Sequence, residues 1–153
     1  MEKFIGIDPG SSSGCIAIIE TDNESIININ TFRIIDQTER ELYQILYFHK
    51  DATKAFIERV SSMPGQGVSS SFTFGQNYGF LRACLIGCQI SFENPVPTVW
   101  MKYYNMKRDK AETKDQWKKR LRQLAQQIFP KFKVDKFNAD ALLIANYCKK
   151  TYQ

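Results

Sequence analysis

Three carboxylates stand in apolar surroundings in this chain. Asp8 closes the run Phe4-Ile5-Gly6-Ile7 and precedes Pro9-Gly10 and a serine-rich turn. Glu58 interrupts Ala-Phe-Ile-Glu-Arg-Val, and Asp140 lies within Ala-Asp-Ala-Leu-Leu-Ile-Ala. A buried carboxylate without a partner is expensive, so each needs a reason. Asp8, beside a glycine-lined turn, could hold a hydrated metal ion or face a phosphate. The other two have simpler roles open to them. Glu58 could pair with Arg59 or a lysine, although neighbours on a strand face opposite ways. Asp140 could favour a helix N-terminus, worth about 0.3–1 kcal/mol. Brought together, the three would repel unless cations neutralised them. Hard oxygen ligands with open water positions suit Mg²⁺ or Mn²⁺. Two such ions about 3.5–4 Å apart can activate water and stabilise the leaving oxygen of a phosphodiester.

The elements that must position these groups follow from hydrophobic period and turn chemistry. Strands are expected over Lys3 to Asp8, Gly14 to Glu20 and Ser25 to Ile34, the first two joined by the Gly10-to-Gly14 turn. Asp36 or Thr38 caps a helix from Glu39 to about Phe48. Lys54 to Val60 reads as a short buried strand, and Ser61 to Ser71, with Pro64, Gly65 and Gly67, as a loop. Phe72 to Gln89 is expected to be a helix in which Gly75 and Gly79, four apart, leave one face bare. Pro95 to Val99 gives a final strand, and Trp100 to Asp109 an irregular stretch or short helix. Ala111 to Phe129 is strongly amphipathic, with Trp117, Leu121, Leu124 and Ile128 on one side and Lys114, Lys118 and Arg122 on another. Pro130 ends it, and Asn138 caps a last helix to about Lys150. This order predicts an α/β fold, a mixed sheet flanked by helices. If the first and fourth strands are neighbours, Asp8 and Glu58 converge, and the last helix can bring Asp140 to them.

With 153 residues the chain is expected to form one domain, and 43% hydrophobic content suits a soluble globular one. No apolar run approaches the roughly 20 residues that span a bilayer, so no membrane partner is expected. Strand-like sequence from Lys3 leaves no room for a secretion signal. Cys15, Cys84, Cys88 and Cys148 read as buried thiols of a reducing compartment, the cytoplasm. The formal charge of +5 is uneven: residues 107 to 136 carry eleven Lys/Arg against four Asp/Glu. Such a concentration beside acids suits either a solvated helix face or a polyanion partner. His49, at the end of the first helix, is expected to be a surface or capping residue.

Ile5-Gly6-Ile7-Asp8-Pro9-Gly10, the strand bearing Glu58 and Ala139-Asp140-Ala141-Leu142-Leu143-Ile144-Ala145 together resemble the RuvC family of Holliday junction resolvases, within the ribonuclease H-like superfamily. Met63 to Val68, Phe72 to Gln76, Pro97-Thr98-Val99-Trp100 and Lys110 through Pro130 resemble its phage-type and organellar branch. The resemblance covers nearly the whole chain in order. It implies a ribonuclease H-like fold with a mixed five-stranded sheet, and a structure-selective endodeoxyribonuclease that resolves four-way DNA junctions. It further implies Asp8, Glu58 and Asp140 as catalytic metal ligands for two Mg²⁺ ions per site, with Mn²⁺ able to substitute. A fourth acid usually stands three residues before the last one; here that place is Phe137. Asp135 resembles an acid placed further upstream in the phage-like branch and is taken as the fourth ligand.

The loop after Glu58 would border the scissile phosphate. Gly65, Gln66, Gly67, Ser69 and Ser70 are expected DNA contacts, since glycine lets the backbone approach phosphates and serine hydroxyls bind them. Phe72 and Phe74, and Met63, could stack on an unpaired base or be core residues. Lys107, Arg108, Lys110, Lys114, Lys118 and Lys119 would hold the DNA backbone. Family members act as homodimers, with the bare helix face as the expected contact. Two other readings exist. The missing acid at Phe137 keeps open a non-catalytic junction-binding protein, or a nuclease for other branched DNA. Asp8-Pro9-Gly10-Ser11-Ser12-Ser13 also resembles the phosphate hairpin of sugar kinases and actin-like ATPases, but those need two lobes and a second such hairpin.

Overall fold

The computed structural model describes residues 1–62 and 64–153; Met63, a candidate base-stacking residue, lies outside them. β1 (Glu2–Asp8), β2 (Cys15–Asp22) and β3 (Ser25–Arg33) form an antiparallel meander. A short 3-10 turn leads to α1 (Glu39–Phe48) and β4 (Lys54–Ile57). Then follow α2 (Val68–Gly87), β5 (Phe92–Glu93), α3 (Pro97–Tyr103), α4 (Lys114–Ile128) and α5 (Ala139–Tyr152). The five strands lie in the order β3-β2-β1-β4-β5, with β4 parallel to both β1 and β5. This is the expected mixed sheet, with β1 at its centre.

Strand alternation sorts the side chains between two layers. Ile5, Ile7, Ile16, Ile18 and Ile57 pack against α1 and α2 residues such as Leu42, Leu46, Leu81 and Leu85. Phe4 and Phe56 face the other way, onto Trp100, Trp117, Leu121, Leu143 and Ile144 of α3, α4 and α5. Cys15, Ala17 and Ile19 continue that second layer beneath Ala141, Leu142 and Ala145. Gly6 lets α5 settle directly on β1, because a Cβ there would fall on the backbones of Ala141 and Ala145. Neither backbone can give way without lifting the helix. Gly6→Ala is therefore expected to cost about 2–3 kcal/mol, lowering the calorimetric midpoint by about 5–10 °C. A midpoint within 1 °C of the parent chain would contradict so close a contact.

Several expectations need correction. Pro95 to Val99 is not a strand: the edge strand is the earlier pair Phe92–Glu93, and Pro97 opens α3, where its fixed φ and missing N–H suit the first helical position. The loop after Glu58 is shorter than expected, because α2 begins at Val68 with Gly67 as its N-cap, so Ser69 and Ser70 are helical. The fourth strand ends at Ile57, although the Glu58 amide still bonds to the Ile7 carbonyl at 2.9 Å and the Arg59 amide to Pro95 at 2.9 Å. α4 begins three residues late, at Lys114, where Thr113 and Gln116 form a capping box. His49 does end α1, but it is buried rather than on the surface. Asn138 makes no side-chain cap to α5; its amide group instead bridges the Asp135 N–H and the Lys133 carbonyl.

A carboxylate cleft under a cationic rim

β1 and β4 run parallel with Ile7 opposite Ile57. The next residues, Asp8 and Glu58, therefore leave neighbouring strand ends on one face, the face covered by α5. α5 reaches the same place by its first turn, which carries Asp140. Asp8, Glu58 and Asp140 line one cleft of about 620 Å³ with Gly10, Ser13, Phe74, Lys114, Asp115, Lys118, Lys119, Arg122 and Lys136. The three acids thus share one cleft.

Each acid is held differently. Asp8 Oδ1 accepts the Gly10 amide at 3.3 Å, and the turn behind it is closed by Gly14 N–H to the Gly10 carbonyl at 2.8 Å. Asn77 of α2 donates to the Pro9 carbonyl at 2.5 Å and so ties that turn to the helix. Glu58 Oε2 accepts the Trp100 indole N–H at 2.6 Å. Asp140 forms an ion pair with Lys118; the lysine side chain is 47% exposed and that of Asp140 14%.

Their electrostatics follow from crowding. Burial first, then the charge of Asp140, pushes the Asp8 carboxyl up to about 7, against Lys118 and the Gly10 amide. Burial and Asp8 push Glu58 up to about 8, with the indole hydrogen bond opposing. Burial works against the Lys118 ammonium, yet Asp140, Asp8 and Glu58 hold it above the usual lysine value. Burial and repulsion from neighbouring acids thus oppose ionisation of Asp8 and Glu58 near neutrality, and a bound cation would offset both. The donors are hard oxygens, the set that Mg²⁺ or Mn²⁺ prefers. Among the described residues no three acidic, histidine or cysteine side chains are grouped so that they could hold a metal ion. The donors suit a divalent cation in type only; to hold one, the three side chains would have to close on it and Asp140 exchange Lys118 for it.

The remaining expected residues separate into groups. Asp135 is not among the cleft residues: its Oδ1 accepts the amides of Phe137 at 2.7 Å and Asn138 at 3.0 Å. Backbone donors thus occupy one of its two carboxylate oxygens. Phe137, where an acid was expected, is a platform for Arg33, whose guanidinium lies 3.6 Å from the ring centre. Gln66, Ser69, Ser70 and Phe74 line an adjoining recess with Ser11 to Ser13, Thr73 and Lys114. Gly65 has φ +81° in an exposed turn, a conformation only glycine adopts freely. Phe72 is 72% exposed, so it is not a core residue. Lys107 and Arg108 border a different, apolar pocket beside α3, and Lys110 lies exposed on the loop before α4.

Asp115, Lys119, Arg122 and Lys136 complete the cleft wall. The charge concentration of residues 107 to 136 hints at the cations; nothing marks Asp115 beyond its place one residue after Lys114. Trp100 stood in the sequence only as part of the Pro97-Thr98-Val99-Trp100 resemblance, with nothing to mark it as a partner of Glu58.

No protein-family model matches the chain, and no curated protein does. Solved structures do. The chain is similar to RuvC of Thermus thermophilus at 12% identity and a TM-score of 0.62, covering 98% of this chain and 97% of that one. T. thermophilus RuvC in complex with Holliday junction substrate matches at 11% identity and a TM-score of 0.66, over 95% of this chain and 90% of that one. The yeast mitochondrial Holliday junction resolvase Ydc2 matches at 15% identity and a TM-score of 0.53, over 96% and 83%. With its sheet order and its flanking helices, the chain has the ribonuclease H-like fold of the RuvC resolvases.

Proposed function

We propose that this protein is a structure-selective endodeoxyribonuclease that resolves four-way DNA junctions by paired, cation-dependent phosphodiester hydrolysis. The observation that carries the reading is the meeting of Asp8, Glu58 and Asp140 in one cleft walled by Lys114, Lys118, Lys119, Arg122 and Lys136. Carboxylates alone would repel DNA, and lysines alone would bind it without cutting. A neighbouring fold in complex with Holliday junction substrate supports the choice of DNA.

Asp8, Glu58 and Asp140 would hold two Mg²⁺ or Mn²⁺ ions, which supply water activation and charge neutralisation at the leaving 3′ oxygen. Lys114, Lys119 and Arg122 hold the phosphates flanking the scissile one. Lys118, released from Asp140, faces the same phosphate and offsets its charge. The hydroxyls of Ser13, Ser69 and Ser70 lie on the path of the strand as it leaves the cleft.

Paired cuts need two sites. A homodimer through α2 supplies them, because Gly75, Gly79 and Gly87 have no atom within 4 Å of where a Cβ would stand. That open face can approach a second copy closely. The four free, buried cysteines suit a reducing compartment such as the cytoplasm.

The test is a labelled four-way junction incubated with Mg²⁺ beside flap and duplex DNA. Symmetric paired nicks with 5′-phosphate and 3′-hydroxyl ends are expected. Binding without cutting in either Mg²⁺ or Mn²⁺ would instead identify a junction-binding protein, in which Lys118 permanently occupies Asp140.

A further inference from the structure

Glu58 is the longest of the three acids, with the most side-chain torsions to fix. Asp8 is short and braced by its own turn; Asp140 is held by Lys118. For Glu58 the restraint is the indole of Trp100, fully buried in the layer formed by Phe4, Phe56 and Leu143. The indole N–H is the one polar group of that side chain, and its bond to Glu58 Oε2 is 2.6 Å long, short for a nitrogen donor.

A buried indole needs an acceptor, and satisfying it is the bland explanation of the pair. A backbone carbonyl would serve that purpose without burying a carboxylate. Glu58 instead gives one oxygen to the core while its residue lines the cleft. Among the described residues Trp100 is its side-chain donor, so Oε1 stays available. The base of Trp100 is itself fixed: the Tyr104 hydroxyl, just past the end of α3, donates to the Leu143 carbonyl at 2.8 Å and accepts from Asn146 at 2.9 Å. Both partners belong to α5, the helix that carries Asp140. α3 therefore spans the distance between Glu58 and the helix of Asp140.

We infer that Trp100 is a positioning residue: its indole N–H orients Glu58 so that the free oxygen faces the cation site, and α3 sets that oxygen relative to Asp140. The inference rests on the nuclease reading above.

Trp100→Phe removes the donor and keeps most of the packing. Outer partners of this kind commonly cost 10–100-fold in metal affinity or activity when lost. At a temperature well below its midpoint, the variant is expected to need about tenfold more Mg²⁺ for half-maximal cleavage. Its kcat should fall while KM for the junction stays the same. Trp100 is one of two tryptophans, so Mg²⁺ binding to the parent protein should also change the indole emission. That change should vanish in Trp100→Phe and in Glu58→Gln.

Unchanged Mg²⁺ dependence and kcat in a folded Trp100→Phe would overturn the inference and leave the nuclease reading intact. Should Trp100→Phe fail to fold, emission decides: a Mg²⁺ response present in the parent and absent in Glu58→Gln supports it, and no response in a parent that cuts junctions overturns it. A parent that cuts no branched DNA in Mg²⁺ or Mn²⁺ removes the nuclease reading and this inference together.

Discussion

Asp8→Asn is expected to abolish junction cleavage and, in cation-free buffer at pH 8, to make the protein more stable. Loss of a ligand whose cation stabilises the transition state by several kcal/mol corresponds to a rate loss of about 10³-fold or more. The gain in stability has its own cause. Asp8 titrates at about 7 and Glu58 at about 8 in the fold, both above the ordinary carboxylate range, first because they are buried and then because they face other acids.

For such groups the folded state binds protons more tightly than the unfolded one. Their favourable contribution is fully present below the unfolded carboxylate range and is lost as pH rises through about 7 and 8. An amide at position 8 or 58 removes that loss. Its advantage should be largest at pH 8 and absent near pH 4. Each kcal/mol relieved is worth about 2–4 °C of midpoint in a chain of this length. Saturating Mg²⁺ should reverse the order, since a ligand bound only by the folded parent adds about 2.7 kcal/mol at a hundredfold excess over its dissociation constant. Thermal melts of parent, Asp8→Asn and Glu58→Gln at pH 5 and pH 8, with and without Mg²⁺, measure all of this. A parent that is more stable than both variants at pH 8 without cations would contradict the crowding on which the catalytic reading depends.

The second large effect concerns the rim. Lys114, Lys119 and Arg122 share the cleft wall with the acids but hold none of them in an ion pair among the described residues. Replacing all three with glutamine should weaken junction binding by about 10²-fold at 0.1 M salt, through fewer counterions released. The slope of log affinity against log salt should flatten by about three units, one per phosphate contact. These contacts position the backbone and carry no sequence information, so the loss should be equal for junctions of different sequence. Fluorescence anisotropy in Ca²⁺ across a salt series gives both numbers. An unchanged slope would mean that the DNA follows another surface, such as the pocket of Lys107 and Arg108.

The two effects separate the halves of the site. Asp8→Asn should leave junction affinity nearly intact while chemistry stops; the rim variant should do the reverse at low DNA concentration. A binding surface and a reacting centre that share a single cleft can be told apart only by such a pair.

What the sequence determined on its own was local or periodic. The short apolar runs within Lys3 to Asp8 and Cys15 to Ile19, joined by a glycine- and serine-rich turn, specified strands, and the apolar setting of Glu58 and Asp140 marked them as carboxylates in need of a partner. The 3.6-residue period of α4 placed Trp117 and Leu121 inward. Errors occurred where a local signal was ambiguous. Pro95 to Val99 reads as a strand by composition, yet Pro97, with its fixed φ and missing N–H, starts a helix that buries Trp100.

Other features were decided only by packing. α5 lies directly against Gly6 of β1, and that close seat brings the Asp140 end of the helix down to the end of β1. Asp115, Lys136 and Trp100 joined the site because α4, the α5 approach and α3 cross the sheet at one end, a relation between elements far apart in the chain. Asp135 and Phe137, positions that the family resemblance singled out, lie outside the cleft lining: one Asp135 oxygen accepts backbone amides, and the Phe137 ring lies under Arg33. Side-chain type and period are written residue by residue. Which oxygens finally share a cleft depends on how helices seat on a twisted sheet, and that is a property of the whole core.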